Sequence, residues 1–74
     1  MKLKKISSNK MITFLENKGY FVNHIKGSHF VLYKPNIGRV VVPRRKELPI
    51  GTILAILREI NSTKEELLCW LINY

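Results

Sequence analysis

The chain has no aspartate, one cysteine and only five acidic side chains among 74 residues. Each scarcity closes off a class of protein. A two-metal nuclease needs clustered carboxylates to hold its ions. Here four of the five glutamates (Glu47, Glu59, Glu65, Glu66) fall in or beside the C-terminal helical segments. Zinc generally wants three or four protein ligands at useful spacing, and His24, His29 and Cys69 are the only soft ligands. No metal and no cofactor is therefore expected. A lone Cys69 excludes an internal disulfide framework and fits a reducing compartment; lying in an apolar helical run, it reads as a core thiol. There is no Gly-rich phosphate loop. After the basic start, no apolar stretch follows Lys5 that suits a signal peptide or a span. A cytoplasmic protein without a membrane partner is expected.

Positive charge is what the chain has in excess. Lysine and arginine number 13, giving a formal net charge of +8. Eleven of those bases and one acid, Glu16, fall in residues 1–46, whereas residues 47–74 hold two bases and four acids. A basic segment beside a near-neutral one points to a polyanion-binding face. A chain of this length is one domain at the low end of what folds alone, expected over residues 1–74 with 1–6 as a flexible basic lead. Any active site must be superficial, because so short a chain cannot enclose both a core and a deep cavity.

Periodicity gives six elements. Ser7 or Ser8 caps a helix to about Lys18, with Met11, Ile12, Phe14 and Leu15 as its apolar stripe and Gly19 as its stop. Residues 20–25 are aromatic and β-branched and predict a strand. Lys26-Gly27 predicts a tight turn, residues 28–34 a second strand, Pro35-Asn36-Ile37-Gly38 a second turn, and residues 39–42 a third strand ended by Pro43. Pro49 suits the first turn of a helix carrying Ile53, Ile56, Leu57 and Ile60, ended by Asn61. Ser62 with Glu65, or Thr63 with Glu66, makes a capping box for a last helix of Leu67, Leu68, Trp70 and Leu71. The predicted class is α+β, in the order α-β-β-β-α-α, a three-stranded antiparallel sheet with helices on one face. The second strand is apolar on both sides, Phe30 and Leu32 against Val31 and Tyr33, so its buried face is not readable.

With metals and phosphate loops set aside, histidine is the remaining catalytic group, with lysine, arginine and tyrosine as helpers. Gly27-Ser28-His29 opens the second strand. Gly19-Tyr20 stands eight residues earlier, Val40-Val41-Val42-Pro43 forms the third strand, and Lys46-Glu47-Leu48-Pro49-x-Gly51-Thr52 leads to Ile56-Leu57-Arg58. These four motifs, in order across about residues 7–71, resemble the HicA toxin family. The resemblance implies a fold similar to double-stranded-RNA-binding domains. It implies a ribonuclease (mRNA interferase) of a type II toxin–antitoxin system that cleaves messenger RNA and arrests growth. It also implies a HicB-type antitoxin that covers the active site, and an essential histidine, here His29. Two positions depart from the family pattern. His24 stands where arginine is common, and Leu32 stands where an aromatic often follows the motif histidine by three.

The residues themselves suggest how His29 would act. RNA carries its own nucleophile, the 2′-hydroxyl; a neutral imidazole can take that proton while a cation steadies the phosphoryl oxygens. Histidine as a type titrates near operating pH. Gly27 permits the turn that presents Ser28 and His29, and Lys26 stands ready for a phosphate. Arg44, Arg45 and Lys46 adjoin the same face, either as phosphate contacts or as a solvated loop. The expected site is thus His29 as general acid/base, with Lys26, Ser28, Arg44, Arg45 and Lys46 binding RNA. If Lys26-Gly27 is a two-residue loop, His24 and His29 lie directly opposite and can split base and acid roles. A longer loop with another register, leaving His24 merely exposed, is the favoured alternative, since Lys-Gly is not the strongest turn signal. Tyr20, Phe21, Phe30 and Tyr33 can stack on bases, though at strand spacing a core position is the favoured reading. Two rival functions remain open: a non-catalytic double-stranded-RNA-binding module, and a basic surface that docks an acidic protein.

Overall fold

The computed structural model describes residues 6–73. The elements run α1 (Ser8–Asn17), β1 (Phe21–Lys26), β2 (His29–Lys34), β3 (Gly38–Pro43), α2 (Ile50–Glu59) and α3 (Lys64–Asn73). The strands form one antiparallel sheet in the order β1-β2-β3, so the expected α+β architecture is the one observed. Residues 1–5 of the expected basic lead lie outside the described residues. Ile6 is already in the core at 2% exposure, and its carbonyl accepts from the Leu48 N–H at 2.8 Å.

Local chemistry accounts for the ends of α1. The Ser7 side chain accepts from the Lys10 N–H, satisfying one of the donors a helix start leaves open. At the other end Gly19 takes φ +99°. The Tyr20 N–H then reaches the Leu15 carbonyl and the Gly19 N–H the Glu16 carbonyl, each at 3.0 Å. This is the paired closure of a Schellman motif, which needs a left-handed residue at Gly19. Tyr20, predicted as the first strand residue, is instead the buried residue that follows this cap. Lys34 Nζ donates to the Lys18 carbonyl at 2.8 Å, placing a cation at the negative end of the helix. The end of β2 is thereby fixed to the end of α1.

All three helices pack on one face of the sheet. Met11, Ile12, Phe14 and Leu15 of α1, Ile53, Ile56 and Leu57 of α2, and Leu67 of α3 share a core with Leu32, Val40 and Val42. Phe30, Leu68, Trp70 and Leu71 pack against it partly buried, and the Trp70 ring meets Phe14 edge-on at 5.3 Å. Of the two predicted capping boxes, Thr63 with Glu66 supplies the N-cap half: Thr63 Oγ1 accepts from the Glu66 N–H at 3.1 Å, while the Glu66 carboxylate is taken by Ser62 and Lys18. Cys69, read as a core thiol, is exposed, because α3 buries only a narrow stripe around Leu67.

Two features of the sheet decide what the uncovered face carries. The first is the β1–β2 loop. Lys26 pairs with His29, so the loop residues are Gly27 and Ser28, not Lys26 and Gly27. Gly27 has φ +59° while Ser28 is absent from the positive-φ residues, the pattern of a type II′ turn with glycine at its first central position. Glycine is wanted one place earlier in the loop than predicted, and the register moves with it. The second feature is a register shift between Val22 and His24, a β-bulge that admits Asn23 as an extra residue.

A candidate nucleic-acid interface on the open sheet face

Side chains alternate across a strand, so the observed pairing sorts them into two sets. Leu32, Val40 and Val42 go to the helices. Among the described residues no element covers the other face, which falls into three rows. Phe21, Tyr33 and Arg39 form the first, His24, Val31 and Val41 the second, and Lys26, His29 and Pro43 the third. His29 is exposed, as are His24 and Lys26. Lys26 stands directly across from His29. His24 pairs with Val31 instead of His29, so the two histidines are not directly opposed: the register is another one, as the favoured alternative had it, although the loop keeps two residues. The histidines are diagonal neighbours on one face, about 7–8 Å apart along the sheet. An open groove of about 570 Å³ is lined by His24, Lys26, Gly27, Ser28, His29, Val31, Arg39 and Val41.

Asn23 also orders one of the histidines. Its Nδ2 lies 3.2 Å from His24 Nδ1. An amide nitrogen only donates, so in this orientation it pairs with an unprotonated Nδ1. A half-turn of the amide presents Oδ1, which accepts from Nδ1–H of the imidazolium. Asn23 thus matches either state of the ring.

The run Arg44-Arg45-Lys46 lines a second open cavity, of about 560 Å³, together with Ser7, Ser8, Asn9 and Phe30. Backbone bonds hold it. The Ser8 N–H donates to the Arg45 carbonyl at 3.0 Å, and the buried Ser8 hydroxyl accepts from the Arg45 N–H at 3.3 Å. The Arg44 N–H donates to the Ser28 carbonyl at 2.7 Å. That bond joins the turn carrying Ser28 and His29 to the start of the basic run. The structure therefore brings Lys26, Ser28, His29 and His24 into one groove and sets Arg44, Arg45 and Lys46 in a separate one, which shares no lining residue with the first and is walled by the start of α1 and Phe30. Neither cavity is lined by an acidic side chain.

Arg39 was missed as a site residue. Its place on the open face follows from alternation with Val41 and Pro43, but only once the register with β2 is known. Among the described residues no three His, Cys, Asp or Glu side chains gather to hold a metal ion, and no helix is long and apolar enough to cross a membrane.

Compared with known protein families, the chain matches the HicA toxin of bacterial toxin–antitoxin systems over residues 8–61. That stretch takes in α1, the whole sheet and α2. The chain belongs to the HicA toxin family. Comparisons with curated proteins and with solved structures return no significant match. Membership of a HicA toxin family gives the chain a toxin role and implies an antitoxin as its partner. It also lets one departure from the HicA pattern be interpreted. Leu32, which departs from the pattern the resemblance implies, has 0% exposure beneath the helices. That difference concerns core packing, not the groove.

Proposed function

We propose that this HicA family member is a metal-independent endoribonuclease that cleaves messenger RNA in the cytoplasm, with His29 as its general acid/base. The observation that carries the reading is the exposed His29 facing Lys26 in a groove with no acidic side chain. The imidazole of His29 takes the proton of a ribose 2′-hydroxyl. The 2′-oxygen then bonds to the adjacent phosphorus as the bond to the 5′-oxygen breaks, leaving a 2′,3′-cyclic phosphate. Lys26 and the Ser28 hydroxyl bind the phosphoryl oxygens as charge builds on them. His24, as imidazolium with Asn23 behind it, gives the leaving 5′-oxygen its proton. Arg44, Arg45 and Lys46 hold phosphates farther along the strand. A HicB-type antitoxin neutralises the toxin by covering this face.

The test is cleavage of a single-stranded RNA in EDTA by the wild type, His29→Ala and His24→Ala. Cleavage by the wild type that His29→Ala abolishes supports the reading. A wild type that binds RNA but never cuts it leaves the non-catalytic RNA-binding module as the better description. Unchanged cleavage by His24→Ala removes His24 from the mechanism.

A further inference from the structure

The open face carries more apolar surface than the proposed chemistry uses. Phe21 is 45% exposed and Tyr33 40%, and their rings meet edge-to-face with centroids 5.9 Å apart. The solvent side of an antiparallel sheet is ordinarily polar, and each ring keeps one face that the other does not cover. Arg39 pairs with Tyr33 from the opposite side, and the single salt bridge among the described residues, Lys18–Glu66, does not involve it. The row Phe21–Tyr33–Arg39 is therefore two rings and a cation at one end of the face, with Lys26 and His29 at the other.

The bulge makes this row. Strict alternation places residues 21 and 24 on opposite faces, yet Phe21 pairs with Tyr33 while His24 pairs with Val31. The extra residue Asn23 brings both to the open side. Bulges commonly re-aim side chains beside active sites. From Tyr33 to His29 is four residues of strand, about 13 Å.

We propose that Phe21 and Tyr33 form an L-shaped stacking platform for an unpaired base of the strand whose phosphate lies at His29, one ring stacking on the base and the other meeting its edge, with Arg39 holding that nucleotide's phosphate. The substrate is then single-stranded RNA read on the sheet face, since a paired base cannot lay its ring on the platform. Aromatic rings stack on bases of any sequence, and the acid-free cationic surroundings match the backbone. The proposal rests on the nuclease reading only for the role of His29; stacking is measurable without cleavage.

The test uses the full chain and a short oligoribonucleotide with one 2-aminopurine stepped along it. Wild type and His29→Ala are expected to quench the fluorescence at one position, and a blunt duplex of the same sequence to compete poorly. The Phe21→Leu/Tyr33→Leu variant loses the quench and weakens binding about tenfold, with KM for cleavage rising to match. Tyr33→Phe keeps both. Should the double variant fail to fold, the two single leucine variants are read in its place. An unchanged quench and KM in the leucine variants overturn the platform even if the wild type cuts RNA. So does a duplex that competes as well as the single strand, or a defect confined to antitoxin binding. A positional quench lost in the leucine variants, with no cleavage by any protein, upholds the platform and overturns the nuclease reading.

Discussion

Gly27 allows a test in which chirality alone changes the sign of the effect. Its φ is +59°, and a Cβ added there meets nothing within 4 Å. Space is therefore not at issue, and any change in stability comes from backbone preference. An L-alanine at positive φ costs about 1–2 kcal/mol. A D-alanine prefers positive φ and restricts the unfolded chain, which stabilises by roughly 0.4–1 kcal/mol. The two variants have identical atoms, and their stabilities should differ by about 1.5–3 kcal/mol. In a domain of this size that is a gap of at least about 6 °C in Tm. Chemical synthesis of the 74-residue chain and thermal unfolding by circular dichroism read it directly. Function should follow the same order, because the turn sets both His29 and, through the Ser28 carbonyl, the Arg44 N–H. D-alanine should keep RNA cleavage while L-alanine lowers it. Equal melting of the two variants would falsify the two-residue loop with glycine in its first position, and with it the register that gathers the groove.

Three other perturbations probe separate parts. Thr63→Ala removes the acceptor for the Glu66 N–H and should cost about 1 kcal/mol in urea unfolding, with α3 frayed. The Glu66 carboxyl is held below its ordinary value of 4.5 by hydrogen bonds from Lys18 and Ser62. A lowered folded value means that this contribution is complete above the ordinary value and is lost as pH falls through the lowered one. Lys18→Gln should therefore flatten the acid limb of Tm against pH, and an unchanged limb would count against the pair. Replacing Arg44, Arg45 and Lys46 by alanine should reduce the slope of log affinity for single-stranded RNA against log salt by about 2 if all three meet phosphates. An unaltered slope would make the run a solvated loop.

The helices were legible because their signals are local. Apolar spacing, a serine or threonine cap and a stop at Gly19 or Asn61 each act within a turn or two of chain. The sheet was legible in outline but not in register. Lys26-Gly27 and Gly27-Ser28 are both acceptable two-residue loops by composition, and one residue of difference decides which side chains oppose. The bulge at Asn23 had no signal in the sequence, since an asparagine in a strand is equally an ordinary polar position. Phe30-Val31-Leu32-Tyr33 is apolar on both sides, so only the helices' choice of face shows Leu32 in the core and Tyr33 outside. Of the site, the motif residues Lys26, Ser28 and His29 were visible because they are contiguous around the turn. Arg39 and the exposure of Phe21 depend on pairings across strands, which no single segment encodes.

On the proposed reading chemistry and recognition share one surface, and the same economy accounts for it. Three short helices suffice to cover one side of a three-stranded sheet, and residues 6–73 supply no further element for the other. Val31 on that side is nevertheless buried, at 7% exposure, between its strand partners His24 and Val41. Around it the sequence places cations, histidines and two exposed rings, where a merely solvated face calls for short polar side chains. A rigid strand also holds a side chain more closely than a loop does, so His29, on the first residue of β2, gains a fixed position that the Gly27 turn alone would not give it. On the same proposal, a partner that silences the toxin by occlusion must meet the surface proposed for RNA. It must offer carboxylates to Lys26 and Arg39 and an apolar group to Phe21 and Tyr33. Antitoxin binding should for that reason be weakened by the leucine variants and by salt together, whereas an antitoxin docked on the helical side would respond to neither.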